Sequence, residues 1–171
     1  MLIGAYGTFW DPDLVDWHGR GWRLLGRQGL QRGTVKVADF RRARGVYALY
    51  SDTGIYYVGL ASGTQGIGGR LRDHTRDEHA YGWTRFSWFA FDGPSETDKY
   101  DDGVLRHRQW ISVEADDTVA IREMEALLLA VTRPPGNIQQ TKFESANAEW
   151  MQVASQVPET RSFDSLRDKL L

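Results

Sequence analysis

The chain has 171 residues, 41% of them hydrophobic, which suits one domain with a real core, and its formal net charge is only −2. A balance so near neutral gives no overall electrostatic argument for a nucleic-acid partner, and the lack of any cysteine excludes disulfides and thiolate metal sites. No apolar run approaches ~18 residues and Met1–Trp10 lacks the basic start of a signal peptide, so a soluble, cytoplasmic protein that does not engage membranes is expected.

In chain order, Leu2–Trp10 suits a short strand, and Asp11-Pro12-Asp13 reads as a helix start with proline in the first turn. Residues 18–34 contain five glycines and are expected to be loop-rich. Charge is distributed unevenly here. Between Arg20 and Arg44 stand eight basic residues and one acid, Asp39, whereas Asp92–Asp117 holds eight acids and three bases. Seventeen of the 21 cations are arginine, whose planar fork matches a phosphate better than lysine does. Arg41, Arg42 and Arg44 are therefore candidate phosphate contacts, with a solvated, ion-paired face as the bland alternative.

Gly45–Tyr50 and Ile55–Leu60 are rich in aromatic and branched residues and flank Ser51-Asp52-Thr53-Gly54, the pattern of a β-hairpin. A three-residue loop, Asp52-Thr53-Gly54, would pair Ser51 with Ile55, Tyr47 with Gly59 and Leu49 with Tyr57. Tyr47 and Tyr57 then share a sheet face as diagonal neighbours, roughly 7–8 Å apart at the backbone. A regular four-residue loop would put them on opposite faces. Either hydroxyl could position a water or accept a proton, although a phenol, with an unperturbed pKa of about 10, needs help from a base or a metal-bound hydroxide. Plain aromatic packing is the competing reading.

The glycine-rich stretch 59–69 fits no phosphate-loop pattern and is expected to be a flexible connector. A helix over about Arg70–Glu78 follows. Arg70 and His74, four apart, share a face of it, and an arginine beside an imidazole suits phosphodiester chemistry. A surface helix with ordinary charges, Arg72 among them, is the alternative, and His79 falls elsewhere on such a helix. Arg85–Phe91 alternates as a third strand with Phe86, Trp88 and Ala90 on one face, and an acidic loop is expected from Asp92. Asp117 or Thr118 would cap a helix ending near Val131, stopped by Thr132-Arg133-Pro134-Pro135-Gly136. On it Glu125 sits among Ile121, Leu128 and Leu129, and a carboxylate in that setting needs a partner, either a divalent cation or an arginine. Glu123 has apolar neighbours too, so periodicity does not choose between the two. Residues 144–156 and 163–171 are expected to be helical.

No single site decides the function, but their order does carry a pattern. Gly45-Val46-Tyr47, then Tyr57-Val58-Gly59, then Arg70, His74, Glu125 and Asn137 resembles the GIY-YIG nuclease family over about Gly45–Asn137. The resemblance selects Glu125 over Glu123, and the Arg-x3-His spacing looks like the restriction-endonuclease branch. It implies an α+β fold: a small three-stranded antiparallel sheet flanked by helices. The core would span 45–140, after a basic, Trp/Gly-rich N-terminal arm (1–44) and before a C-terminal helical tail (141–171). It implies a divalent-metal-dependent endonuclease acting on DNA, in restriction or phage defence. One Mg²⁺ or Mn²⁺ would be held by Glu125. The catalytic set would be Tyr47, Tyr57, Arg70, His74, Glu125 and Asn137, and Arg41, Arg42, Arg44 and Arg72 would contact nucleic acid. Double-stranded DNA is the expected partner, with a homodimer allowed for. Leu60 departs from the pattern, standing where many members carry lysine; Arg70, Arg72 or an arm residue would supply the missing cation. The alternatives are a catalytically silent nucleic-acid-binding module on the same fold and an interaction domain using Trp83, Trp88 and Trp110.

Overall fold

A computed structural model of the chain describes residues 3–29, 35–61, 63–91, 93–107, 123, 126–127, 130–132, 143, 146 and 148–154. The strands are β1 (Ala5–Trp10), β2 (Leu25–Gln28), β3 (Lys36–Asp39), β4 (Gly45–Ser51), β5 (Gly54–Ala61), β6 (Arg85–Ala90), β7 (Pro94–Lys99), β8 (Leu105–His107) and β9 (Met151–Gln152). A 3-10 turn covers Pro12–Leu14, with the Asp11 side chain accepting from the Asp13 amide at 2.9 Å, and helix α1 covers Gly66–Asp73. One sheet has the order β1-β6-β4-β5, the other β7-β8-β3-β2-β9.

The expected α+β fold, a three-stranded sheet flanked by helices, is therefore corrected. Among the described residues the chain is mostly β, with nine strands in a four-stranded and a five-stranded sheet, beside α1 and the 3-10 turn. The three expected strands are present, with β4 between β5 and β6, and β1 extends their sheet along the outer edge of β6. The second sheet was not legible for a physical reason. β7 reads Pro-Ser-Glu-Thr-Asp-Lys, with its last four residues exposed, so backbone pairing alone marks it as a strand. β2 lies within the glycine-rich 18–34 stretch, and β9 falls where a helix was expected, in 144–156. Helical backbone recurs at Glu123, 126–127 and 130–132, within the expected helix up to Val131; its caps and residues 163–171 lie outside the described residues.

The main core lies on the face of the first sheet that carries Tyr47 and Leu49 from β4, Phe86 and Trp88 from β6, and Trp10 from β1. Ala38 and Phe40, Leu105, Trp150 and α1 residues Ile67 and Leu71 close over it. Phe40 packs on Trp88 at 4.3 Å between ring centroids, and Trp10 meets Trp88 edge-on at 5.1 Å. The opposite face, with Tyr6, Ala48, Tyr50 and Phe89, is covered by Ala126, Ala130, Val131, Phe143 and Ala146. Trp10, Trp17, Trp22, Trp83, Trp88 and Trp150 are all buried. An interaction surface built on Trp83 and Trp88 is excluded on that ground, since both are core residues; Trp110 lies outside the described residues. Among the described residues, no helix is long and apolar enough to cross a membrane.

The hairpin reaches the expected register by a different turn. Tyr47 pairs with Gly59 and Leu49 with Tyr57, but Ser51 pairs with Gly54 and Tyr50 with Ile55. The connection is a two-residue turn, Asp52-Thr53, and Tyr56 is the extra residue of a bulge between the pairs at Leu49 and Tyr50. One extra residue restores the parity that the three-residue loop would have supplied. Gly54 takes φ +130°, a backbone that side-chain-bearing residues rarely adopt.

Candidate active site

Helix α1 brings the polar residues to the tyrosine face. Its start is not a flexible connector but a close contact: the Ile67 amide donates to the Ala43 carbonyl at 2.7 Å and the Gly68 amide to that of Arg41 at 2.9 Å. A Cβ on Gly66 would lie 2.5 Å from Arg42 Cα, so only glycine allows this approach. The helix ends at Asp73, earlier than the expected Glu78, with His74 as its C-cap. Trp83 holds that end by donating its indole N–H to the His74 carbonyl at 3.3 Å. Because the helix stops there, the chain folds back and sets the His79 ring 5.0 Å from that of His74. The expectation that His79 points elsewhere assumed a longer helix, and is corrected.

Tyr47 and Tyr57 lie on the same face, with ring centroids 6.2 Å apart. The Tyr47 hydroxyl is 2.8 Å from His74 Nε2, and His74 Nδ1 is 2.8 Å from Asp77 Oδ2. Burial pushes the Asp77 carboxyl up, but hydrogen bonds from the His79 backbone N–H and the His74 ring offset this and hold it below the usual carboxylate range. An ionised carboxylate only accepts, so His74 Nδ1–H donates to Asp77, and in the neutral ring the Nε2 lone pair faces the Tyr47 hydroxyl. The order Asp77, His74, Tyr47 is thus a hydrogen-bonded chain that can pass a proton, ending on a phenol whose O–H donates to the neutral imidazole. Burial raises the Tyr47 pKa above its ordinary value and Tyr57 adds to the rise, while the Arg70 guanidinium pulls the other way. Arg70 is itself raised, chiefly by its hydrogen bond to Tyr47.

Exposure is graded across the cluster. Tyr47 and His74 are buried, Tyr57 is half-buried, and the Arg70 side chain is 41% exposed. The site is not the open cleft that a shared phosphate-binding face leads one to expect: Tyr57 and Arg70 are what a ligand meets first. Leu60 alternates away from the Tyr57 face and is exposed, so a cation at that position would not face Tyr47. Glu125 and Asn137 lie outside the described residues. Glu123 is described: it is buried, and its carboxylate accepts the Ile3 amide at 2.8 Å. Around the tyrosines, the donors among the described residues are two imidazoles and the Asp77 carboxylate. That mixed nitrogen and oxygen set suits Mn²⁺ or Zn²⁺ better than Mg²⁺, so the Mg²⁺ expectation rests on Glu125 alone.

No family model matches the sequence, and no curated protein or solved structure matches it either. Asp77 and His79 were not singled out from the sequence as site residues; the signal that could have found them is the spacing His74-x2-Asp77-x-His79, which places three ligating side chains on one turn.

The arginines divide into two kinds. Arg41 donates to the Trp22 carbonyl at 2.8 Å and lies 5.5 Å from the Trp22 ring centroid, with Arg72 at 5.6 Å. Arg41 is anchored further by its amide, which donates to the buried Asp39 carboxylate at 2.9 Å. Arg42 is exposed and Arg44 half-buried. If the chain binds nucleic acid, neutralising Arg42 is therefore expected to lower the log–log salt slope of that binding by about one unit. Arg41→Gln should instead lower the melting temperature by disturbing the Trp22 contacts. Binding titrations across a salt series check this; an unchanged slope for Arg42→Gln would mean that it is only a solvated face.

Gly59 gives a direct test of the geometry. A Cβ there would fall 2.2 Å from the Tyr47 hydroxyl oxygen. Gly59→Ala is expected to push Tyr47 off His74, destabilise the fold by about 1–3 kcal/mol, and sharply reduce any activity that uses the relay. Thermal melting read beside the activity checks both; full activity in a folded variant would detach Tyr47 from function.

Proposed function

We propose that the protein is a divalent-metal-dependent endonuclease of the GIY-YIG type, hydrolysing phosphodiester bonds of double-stranded DNA. The observation that carries the reading is the relay Asp77–His74–Tyr47, with Arg70 beside the phenol. Tyrosine, imidazole and guanidinium converge on one sheet face from β4, β5 and α1, in the order in which the sequence presents the motif.

In this reading Arg70 and Tyr57, the two accessible groups, receive the phosphate. Drawing the Arg70 guanidinium onto it uncovers the Tyr47 hydroxyl that Arg70 contacts. Tyr47 Oη then takes a proton from the attacking water as its own proton passes to His74 Nε2, and Asp77 stabilises the imidazolium that results. A phenol whose pKa is raised needs this arrangement, because its phenolate is scarce at neutral pH. Arg70 neutralises charge developing on the phosphate oxygens. A divalent cation held by Glu125 would supply Lewis-acid stabilisation of the leaving oxygen. Asn137 would brace the site, and Arg42 and Arg44 would lie along the DNA backbone.

A second reading, a catalytically silent nucleic-acid-binding module, draws support from the complete burial of Tyr47. One experiment separates the two. The protein is incubated with plasmid, single-stranded DNA and RNA, each with Mg²⁺, Mn²⁺ or EDTA. Metal-dependent cleavage of plasmid supports the nuclease; binding without cleavage under every metal condition supports the silent module.

A further inference from the structure

We propose that His74, Asp77 and His79 form a binding site for a Zn²⁺-type transition-metal ion, and that its occupancy shuts off the Tyr47 relay. The three side chains offer one ligand atom each, all within 4.8 Å of one another. Two imidazoles and one carboxylate are the donor set of catalytic and regulatory zinc sites, which leave a further position to water. Tetrahedral ligands at about 2.0–2.1 Å from one ion stand about 3.4 Å apart, so a pair at the 4.8 Å limit must close by roughly 1.4 Å. The part-exposed His79 ring, on the turn beyond α1, is the side chain placed to make that movement.

The surroundings are those of a supported site. Metal-bound histidines keep a hydrogen-bond partner on the nitrogen that does not ligate. Here His74 has Tyr47 on Nε2, at 2.8 Å, and His79 has Tyr56 on Nδ1, at 3.1 Å. That leaves His74 Nδ1 and His79 Nε2 as the ligating atoms. Asp77 is oriented by the His79 amide, which donates to Oδ1 at 2.9 Å and leaves Oδ2 against His74 Nδ1. The turn is closed by the Ala80 amide on the Asp77 carbonyl at 3.1 Å and the Gly82 amide on that of His79 at 2.9 Å. Tyr57 packs against both imidazoles, edge-on to His74 with centroids 5.0 Å apart and tilted to His79 at 4.9 Å, and limits water on that side.

The consequence follows from the nitrogen used. An ion on Nδ1 displaces the proton from that atom, so Nε2 becomes a permanent donor to Tyr47 and cannot take its proton. It also takes the Asp77 carboxylate out of the relay. The same three residues thus hold either a proton path or a metal ion, but not both. The binding site stands on geometry alone; the inhibitory consequence rests on the nuclease reading.

The test begins without nucleic acid. The EDTA-treated full chain is titrated with Zn²⁺ by calorimetry and with Co²⁺ by visible absorption. The expected result is one equivalent bound, with cobalt bands that bleach on adding Zn²⁺. His79→Ala and, separately, Asp77→Asn should each weaken binding by at least about tenfold, with circular dichroism showing both to be folded. Absence of stoichiometric binding, or unchanged affinity in both folded variants, overturns the site. In a second arm, one equivalent of Zn²⁺ added to an Mg²⁺ or Mn²⁺ cleavage assay should suppress cutting by wild type, and the ratio of rates with and without Zn²⁺ should return towards one in His79→Ala. Binding with no cleavage under any condition sinks the nuclease reading and leaves the site standing; cleavage that Zn²⁺ does not affect despite stoichiometric binding overturns the inhibitory consequence.

Discussion

Replacing Tyr47 by phenylalanine is expected to lower the cleavage rate by about 10²–10⁴-fold, the usual range for a lost acid–base group, with little change in DNA affinity. The variant removes one oxygen atom and keeps the ring. Tyr47 is fully buried among Leu49, Phe86 and Trp88, so the core retains its packing and the fold should survive. What is lost is the donor to His74 Nε2 at 2.8 Å and the partner of Arg70. Removing the hydroxyl also leaves His74 Nε2 without its partner, a buried polar group whose desolvation costs about 1–3 kcal/mol, so a modest drop in melting temperature accompanies the loss of rate. Single-turnover cleavage, read beside binding in EDTA and thermal melting, separates these effects. Cleavage at a near wild-type rate would remove Tyr47 from the chemistry and leave it a core residue.

Glu125→Ala should abolish cleavage, by more than about a thousandfold, since a catalytic cation contributes several kcal/mol to the transition state. The two neighbouring acids are expected to behave in opposite ways. Glu123 is buried and accepts the Ile3 amide, so Glu123→Ala removes a buried hydrogen bond and should cost about 1–3 kcal/mol of stability. Glu125→Ala should melt close to wild type. Measuring both variants for melting temperature and for cleavage in Mg²⁺ and in Mn²⁺ gives a two-by-two result. A Glu125→Ala protein that still cuts at near wild-type rate with Mg²⁺ would show that Glu125 is not the metal ligand, and a loss confined to Glu123 would move the search for the cation to that residue.

The local elements were legible where side chains alternate or repeat strongly. The strands around Tyr47 and Trp88 are buried on both faces, the strand around Tyr57 alternates between half-buried and exposed residues, and each was placed within a residue or two. The pairing of Tyr47 with Gly59 was also legible, because residue parity is a property of the chain; the turn that delivers it was not, since a two-residue turn with a bulge at Tyr56 and a three-residue loop give the same parity. The second sheet escaped because edge strands such as Pro94–Lys99 carry polar, exposed side chains, and their only signature is hydrogen bonding to a distant segment. The point where α1 ends escaped for a similar reason: Trp83, nine residues on, holds the His74 carbonyl, and no local pattern announces that contact.

The amino-acid sequence by itself determined which residue types are present and how they are ordered: two tyrosines ten apart on paired strands, an arginine and a histidine one helical turn apart, an arginine-rich approach, and no thiol chemistry. These follow from side-chain chemistry and short-range periodicity, which act over a few residues. Only the tertiary structure decided that Asp77 orients His74, that His79 returns to the same cluster, that Arg41 stacks on Trp22 while Arg42 stays in solvent, and that Tyr47 is sealed beneath Tyr57 and Arg70. Each of these is set where a chain reversal or a long-range packing contact overrides the local period, and the energy of that choice comes from the buried aromatic core between the two sheets, which no single segment contains.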